Sequence, residues 1–159
     1  MFTRALTLLA VPFVAHAALA SRGACNRRYT IQENDICDSI SAANQVSTYQ
    51  LATINAGYIN AGCTNLEPGD SICLGYAGED CTTTYVIVAD DTCDAITDKF
   101  SISSDTLRTN NPQINDACDN LYTGEVLCVS SKIQVPPAPA SSTDAEDDED
   151  YPYCDELDD

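Results

Sequence analysis

"YTIQENDICDSI", residues 29–40, returns as "YVIVADDTCDAI", residues 85–96. The agreement does not stop there. "LATINAGYIN", 51–60, is echoed by "LRTNNPQIN", 107–115, one residue shorter, and "LEPGDSICL", 66–74, by "LYTGEVLCV", 121–129. Cys25, Cys37, Cys63 and Cys73 recur as Cys81, Cys93, Cys118 and Cys128, offset by 56 for the first two and 55 for the last two. The chain is therefore an internal duplication of a unit of about 50 residues. At that size a hydrophobic core alone is marginal, and cystines are the usual remedy.

One unit reads as strand, helix, helix, strand. "YTIQ" and "YVIV" are β-rich runs that end in acidic and polar residues. Ile36, Ile40 and Ala43, or Ala95, Ile96 and Phe100, then fall at helical spacing and predict a buried face. Thr92 is a good N-cap, Asp35 is expected to cap in its place in the first unit, and Asp38 and Asp94 suit a first turn. A second short helix fits "STYQLATIN", 47–55, and "SSDTLRTNN", 103–111, each opened by serine and closed by asparagine. A glycine turn and a strand close the unit. The expected fold class is α+β: two disulfide-stabilised βααβ modules, each with a two-stranded antiparallel sheet and both helices on one face.

The surrounding sequence sets the context. Residues 1–20 pair an early Arg4 with an apolar run and the small-x-small endings "AHA" and "ALA", the pattern of a secretory signal peptide cut after Ala20, or alternatively after Ala17. Cleavage removes His16, the only histidine, and with it any histidine triad, Cys–His dyad or histidine metal ligand. Nine cysteines in an exported chain read as a disulfide framework, and no C-x-x-C pair offers a zinc site. Four cysteines per unit allow three pairings. Antiparallel strands favour Cys25–Cys73 with Cys37–Cys63, and Cys81–Cys128 with Cys93–Cys118; the other pairings remain open. The net charge of −18 makes nucleic acid and anionic membranes poor partners. Much of it sits in residues 144–159, which hold ten acids and no base. Residues 75–82 read as a short linker, and 130–159 as a disordered Pro/Ser/acidic tail whose odd Cys154 could link two chains.

Three aspartates crowd Cys93 in "ADDTCDAI", 89–96, and invite a metal or an acid/base reading. A metal needs more carboxylates converging from elsewhere, and the duplicate "NDIC" has lost one. A glycosidase pair must flank a cleft at a set separation. The plainer expectation is a strand-to-helix loop, with no metal, no cofactor and no catalytic residue.

That full-length pattern resembles the LysM domain: "YTV-x-x-GDT", an apolar helix, "L-x-x-x-N-P-x-I", then "L-x-x-G-x-x-L-x-V". The resemblance covers 28–74 and 83–129, more closely in the second unit. The family's loop glycine is Asn34 here and Asp90 in the duplicate, residues that tolerate left-handed backbone. The first unit lacks the proline of "NP". The resemblance implies a non-catalytic site for N-acetylglucosamine polymers between two loops. Carried over, these are Glu33, Asn34, Asp35, Ile36 with Gly57, Tyr58, Ile59, Asn60, and Ala89, Asp90, Asp91, Thr92 with Pro112, Gln113, Ile114, Asn115. Backbone groups would meet the acetamide, Ile59 or Ile114 its methyl, and Tyr58 a sugar face. Ile59 and Ile114 are equally suited to filling the core, and Tyr29 and Tyr85 to packing. The second unit, which matches the family pattern more closely, is the safer assignment as a binder. The fungal secreted subset implies a LysM effector that binds chitin oligomers, hiding them from host immunity or shielding hyphal walls, and allows a ligand-bridged or Cys154-linked homodimer. Peptidoglycan binding and a structural wall role are the alternatives.

Overall fold

The computed structural model describes residues 24–60 and 62–137. Residues 1–20 (expected to be a signal peptide), Cys154 and the acidic stretch lie outside the described residues. The elements run β1 (Cys25–Thr30), α1 (Cys37–Asn44), α2 (Thr48–Ile54), β2 (Ser71–Tyr76), β3 (Thr84–Val86), α3 (Cys93–Phe100), α4 (Ser104–Asn110) and β4 (Val126–Cys128). The strands form two antiparallel pairs, β1 with β2 and β3 with β4. Tyr29 stands opposite Ile72 in the first and Tyr85 opposite Leu127 in the second.

Each unit has its own core. Ile31, Ile40, Val46, Leu51, Ile72 and Leu74 close the first, and Ile87, Ile96, Leu107, Leu127 and Val129 the second. Each such side chain contributes about 1.5–3 kcal/mol on burial. Four cystines staple the units: Cys25–Cys73, Cys37–Cys63, Cys81–Cys128 and Cys93–Cys118.

The helical faces differ from the expected ones. Both first helices begin at the cysteine, so the inward set is Cys37, Ile40 and Ser41, and Cys93, Ile96 and Thr97. Ile36 is the N-cap residue in extended backbone and stays 57% exposed, while Ala43 and Ala95 face outward. The cystine fixes the helix phase here, and the apolar spacing follows it. Thr92 caps α3 by accepting from Ala95 N at 3.2 Å. Asp35 does not cap α1; Ser39 Oγ accepts from Ile36 N instead, at 3.0 Å. Ser47 and Ser103 cap the second helices, each accepting from an amide at 3.1 Å.

The asparagines that close those helices do more than end them. Asn55 is buried; its Nδ2 donates to Leu51 O and Cys73 O, both at 2.8 Å, and its Oδ1 accepts from Cys73 N at 3.0 Å. Asn111 repeats the clamp on Leu107 O, Cys128 O and Cys128 N. One amide side chain thus ties the end of a helix to the last strand, satisfying three backbone groups that would otherwise be buried unpaired.

The linker is not loose. β2 runs on to Tyr76, which exchanges backbone hydrogen bonds with Glu79 around a turn at Gly78, φ +85°. Asp80 takes a bidentate contact from Arg27, at 2.8 and 2.5 Å, and Arg27 also donates to Asn44 O. Buried Gln50 on α2 donates to Leu74 O and Asp80 Oδ1, and its Oε1 accepts from Cys81 N at 2.9 Å. Arg27 is therefore an internal tie. Residues 130–137, assigned from composition to the tail, also pack back. Asn110 Nδ2 holds Ser130 O and Lys132 O, and Val135 is buried against Tyr49, Cys81 and Cys128. Apolar Val135 and the proline next to it give this stretch something to bury. Among the described residues no helix is long and apolar enough to cross a membrane.

Candidate functional site

The first of the two expected loops is set by one left-handed residue and one carboxylate. Asn34 has φ +67° and Asp90 φ +68°, so both occupy the conformation that the missing glycine would favour. Asp35 Oδ2 accepts from Gln32 N at 2.7 Å and from the Tyr29 hydroxyl at 2.8 Å. That hydrogen bond, with the nearby Asp35 charge, raises the Tyr29 pKa. Asp91 does the same for Val88 N at 2.8 Å. Both aspartates thus shape the loop, and no group of three or more acids, cysteines or histidines could hold a metal among the described residues.

The second loop carries a matching brace in each unit. Asn60 N donates to Asn65 Oδ1 at 2.9 Å, Thr64 N to Asn60 Oδ1 at 3.0 Å, and Asn65 Nδ2 to Tyr58 O at 2.7 Å. Asn115, Asp119, Asn120 and Gln113 repeat the pattern one for one. Asn65 and Asn120 were not singled out from sequence, although their positions repeat at the same offset. Ile59 and Ile114, 7% and 5% exposed, fill the two cores. Their side chains point inward, and the exposed aliphatic side chain beside the first loop pair is Ile36.

A second repeated pair joins each loop to the turn before the last strand. In the first unit exposed Tyr58 donates to Asp70 Oδ2, which raises the Tyr58 pKa. In the second, Gln113 Nε2 donates to Glu125 Oε1 at 2.9 Å. Glu125 is 2% exposed, its Oε2 has no protein partner, and burial raises its pKa from 4.5. A carboxyl whose folded pKa lies above its unfolded value takes up protons on folding, so its contribution weakens as pH rises through that window. Glu125→Gln should therefore melt higher than the parent at pH 7, with the difference closing below about pH 4.5 where both carry a neutral group. Thermal melts at pH 3.5 and 7 check this; a gap of equal size at both would remove the charge from the explanation.

Beside the N-terminus of the first helix lies a cleft, once in each unit and at the same place. The first, about 630 Å³, has the Cys37–Cys63 cystine, Ile36 and Ala52 among its walls, with Asp38, Thr48, Asn60 and Thr64 as polar groups. The second, about 350 Å³, is lined by Thr92, Cys93, Asp94, Ser104, Arg108, Asp116, Ala117 and Cys118. Arg108 stands where the first unit has Ala52, and its guanidinium donates to Asp116 O at 2.8 Å across the cleft. Of the expected residues, Ile36, Asn60 and Thr92 line these clefts. Glu33 and Asn34 border a separate depression beside Pro68 and Gly69. Gly57, Tyr58, Ala89, Asp90, Pro112, Gln113 and Asn115 line neither cleft.

A family model described as LysM domain matches residues 29–75 and 85–130. The chain belongs to the LysM family. Over 107 residues it is 37% identical to "Non-secreted LysM effector LysM19" of Penicillium expansum, covering 64% of this chain and 8% of that protein. It is 32% identical over 124 residues to a secreted LysM effector of Pochonia chlamydosporia, covering 77% and 18%. It is 35% identical over 114 residues to "Secreted LysM effector Vd5LysM" of Verticillium dahliae, covering 70% and 15%. The LysM chain thus spans less than a fifth of the length of these relatives. Among solved structures, the spore cortex-lytic enzyme SleL of Bacillus megaterium aligns over 70% of this chain and 23% of its own, at 19% identity and TM-score 0.32. A likeness that low carries no argument. In LysM terms, each cleft lies between the start of the module's first helix, its second helix and the segment that carries Cys63 or Cys118.

Proposed function

We propose that this LysM protein is a secreted, non-enzymatic carbohydrate-binding protein whose ligands are chitin and its oligomers. The observation that carries the reading is the paired cleft, repeated at one place in both modules and open to solvent. An N-acetylglucosamine unit offers an amide donor, a carbonyl acceptor, hydroxyls and a methyl. The first cleft supplies a cystine, Ile36 and Ala52 for the apolar parts, with Asp38, Thr48, Asn60 and Thr64 around them. Mixed walls of that kind, with few charges, suit a neutral sugar. The first module is the stronger binder in this reading, because Arg108 fills the position that Ala52 leaves open. The relatives named as effectors support a role in withholding chitin fragments from a host, or in coating the wall that bears them.

The test is calorimetric titration of the oxidised protein with a chitin hexamer, with insoluble chitin and peptidoglycan pull-downs beside it. Saturable heat is expected. Ala52→Arg, which installs the arginine of the second module, should weaken binding about 30-fold, the size of a hot-spot loss of about 2 kcal/mol. Pull-down by peptidoglycan and not by chitin would reassign the polymer. No heat from a correctly folded chain would overturn the sugar-site reading.

A further inference from the structure

We propose that Tyr122, a residue of the second module, is a wall of the first module's sugar site, so that the first cleft is complete only when the two modules are docked. This rests on the sugar-binding reading above and adds an aromatic wall to that site. Tyr122 lies in the turn before β4, at the repeat position held by Glu67 in the first module. It lines the first cleft although 84 residues separate it from Asp38. Its hydroxyl donates to Asp38 Oδ1 at 3.2 Å, and the same oxygen accepts from Thr48 Oγ1 at 3.1 Å. Thr48 Oγ1 in turn accepts from Val126 N, at 3.0 Å. The chain of contacts crosses the module boundary twice and fixes the phenol from one side.

Tyr122 remains 47% exposed. An anchored aromatic ring bordering an apolar cleft presents a π-face to the C–H groups of a pyranose and loses little entropy on binding. Burial first, then the Asp38 charge, pushes the phenol pKa up to about 12. The hydroxyl therefore stays a neutral donor at working pH. No aromatic lines the second cleft, which Arg108 and Asp116 narrow instead. The two sites are thus unequal: stacking belongs to the first and depends on the second module being in place.

The sequence contains no tryptophan, so Tyr122→Trp adds a single indole as a reporter. Titrating this variant with a chitin hexamer should move its emission to the blue along the same isotherm that calorimetry gives, with affinity within about threefold of the parent. Tyr58→Trp, on the loop but outside the cleft, should show no such shift. Tyr122→Ala should bind about 10- to 100-fold more weakly, the range of losing one stacked aromatic anchor. A parent that binds while Tyr122→Trp emission stays fixed and Tyr122→Ala keeps full affinity overturns the composite site and leaves the sugar reading standing. A folded parent that does not bind overturns both.

Discussion

Replacing Cys81 and Cys128 together by alanine is expected to cost about 3–4 kcal/mol, the loss of a closed loop in the chain-entropy account. Their sequence separation is 47, and the Cys93–Cys118 cystine nested inside shortens the path that is freed. Both half-cystines are fully buried against Val135 and Tyr49, so the truncation also leaves a small cavity there. The consequence reaches past the second module. Cys81 N is the donor that Gln50 of α2 receives, and the cystine backs the strand that carries Val126 toward Thr48. Guanidinium denaturation should show the midpoint falling for both modules. A loss below about 1 kcal/mol would mean that packing alone holds the chain ends together.

Asn111→Ala comes next in size. Three buried backbone groups lose their partner: Leu107 O, Cys128 O and Cys128 N. Each buried group left unsatisfied costs about 1–3 kcal/mol, and partial relaxation brings the expected total to about 3 kcal/mol. Asn111→Asp keeps the shape and should cost no less, because a carboxylate cannot donate to the two carbonyls. Equilibrium unfolding measures the loss, and faster amide exchange at Cys128 locates it. Asn55→Ala should repeat the effect in the first module through Cys73. An Asp variant as stable as the parent would show that the amide donor carries no weight.

The duplication was legible because it repeats in covalent features that spacing preserves: cysteines, capping serines and closing asparagines. Left-handed backbone at Asn34 and Asp90 was legible for the same local reason, since short polar side chains are among the few that tolerate it. The helix faces were less so. Apolar spacing suggested Ile36 as core, but the helix starts at Cys37, and the cystine to Cys63 turned Ile36 outward into the cleft.

By itself the sequence determined two βααβ modules, eight cysteines in two matched sets, the caps Ser47, Thr92 and Ser103, and the family. Those follow from contacts within about 50 residues, where local propensity and periodicity act. Only the tertiary structure decided that Ile59 and Ile114 belong to the cores, that Arg27 and Gln50 tie the linker down, that Arg108 fills the second cleft, and that Tyr122 reaches the first. The first of these follow from packing inside each module and against the linker, and the last from how one module docks on the other. The hydrogen bonds that fix the docking join residues 78 and 84 positions apart, beyond the reach of any spacing rule.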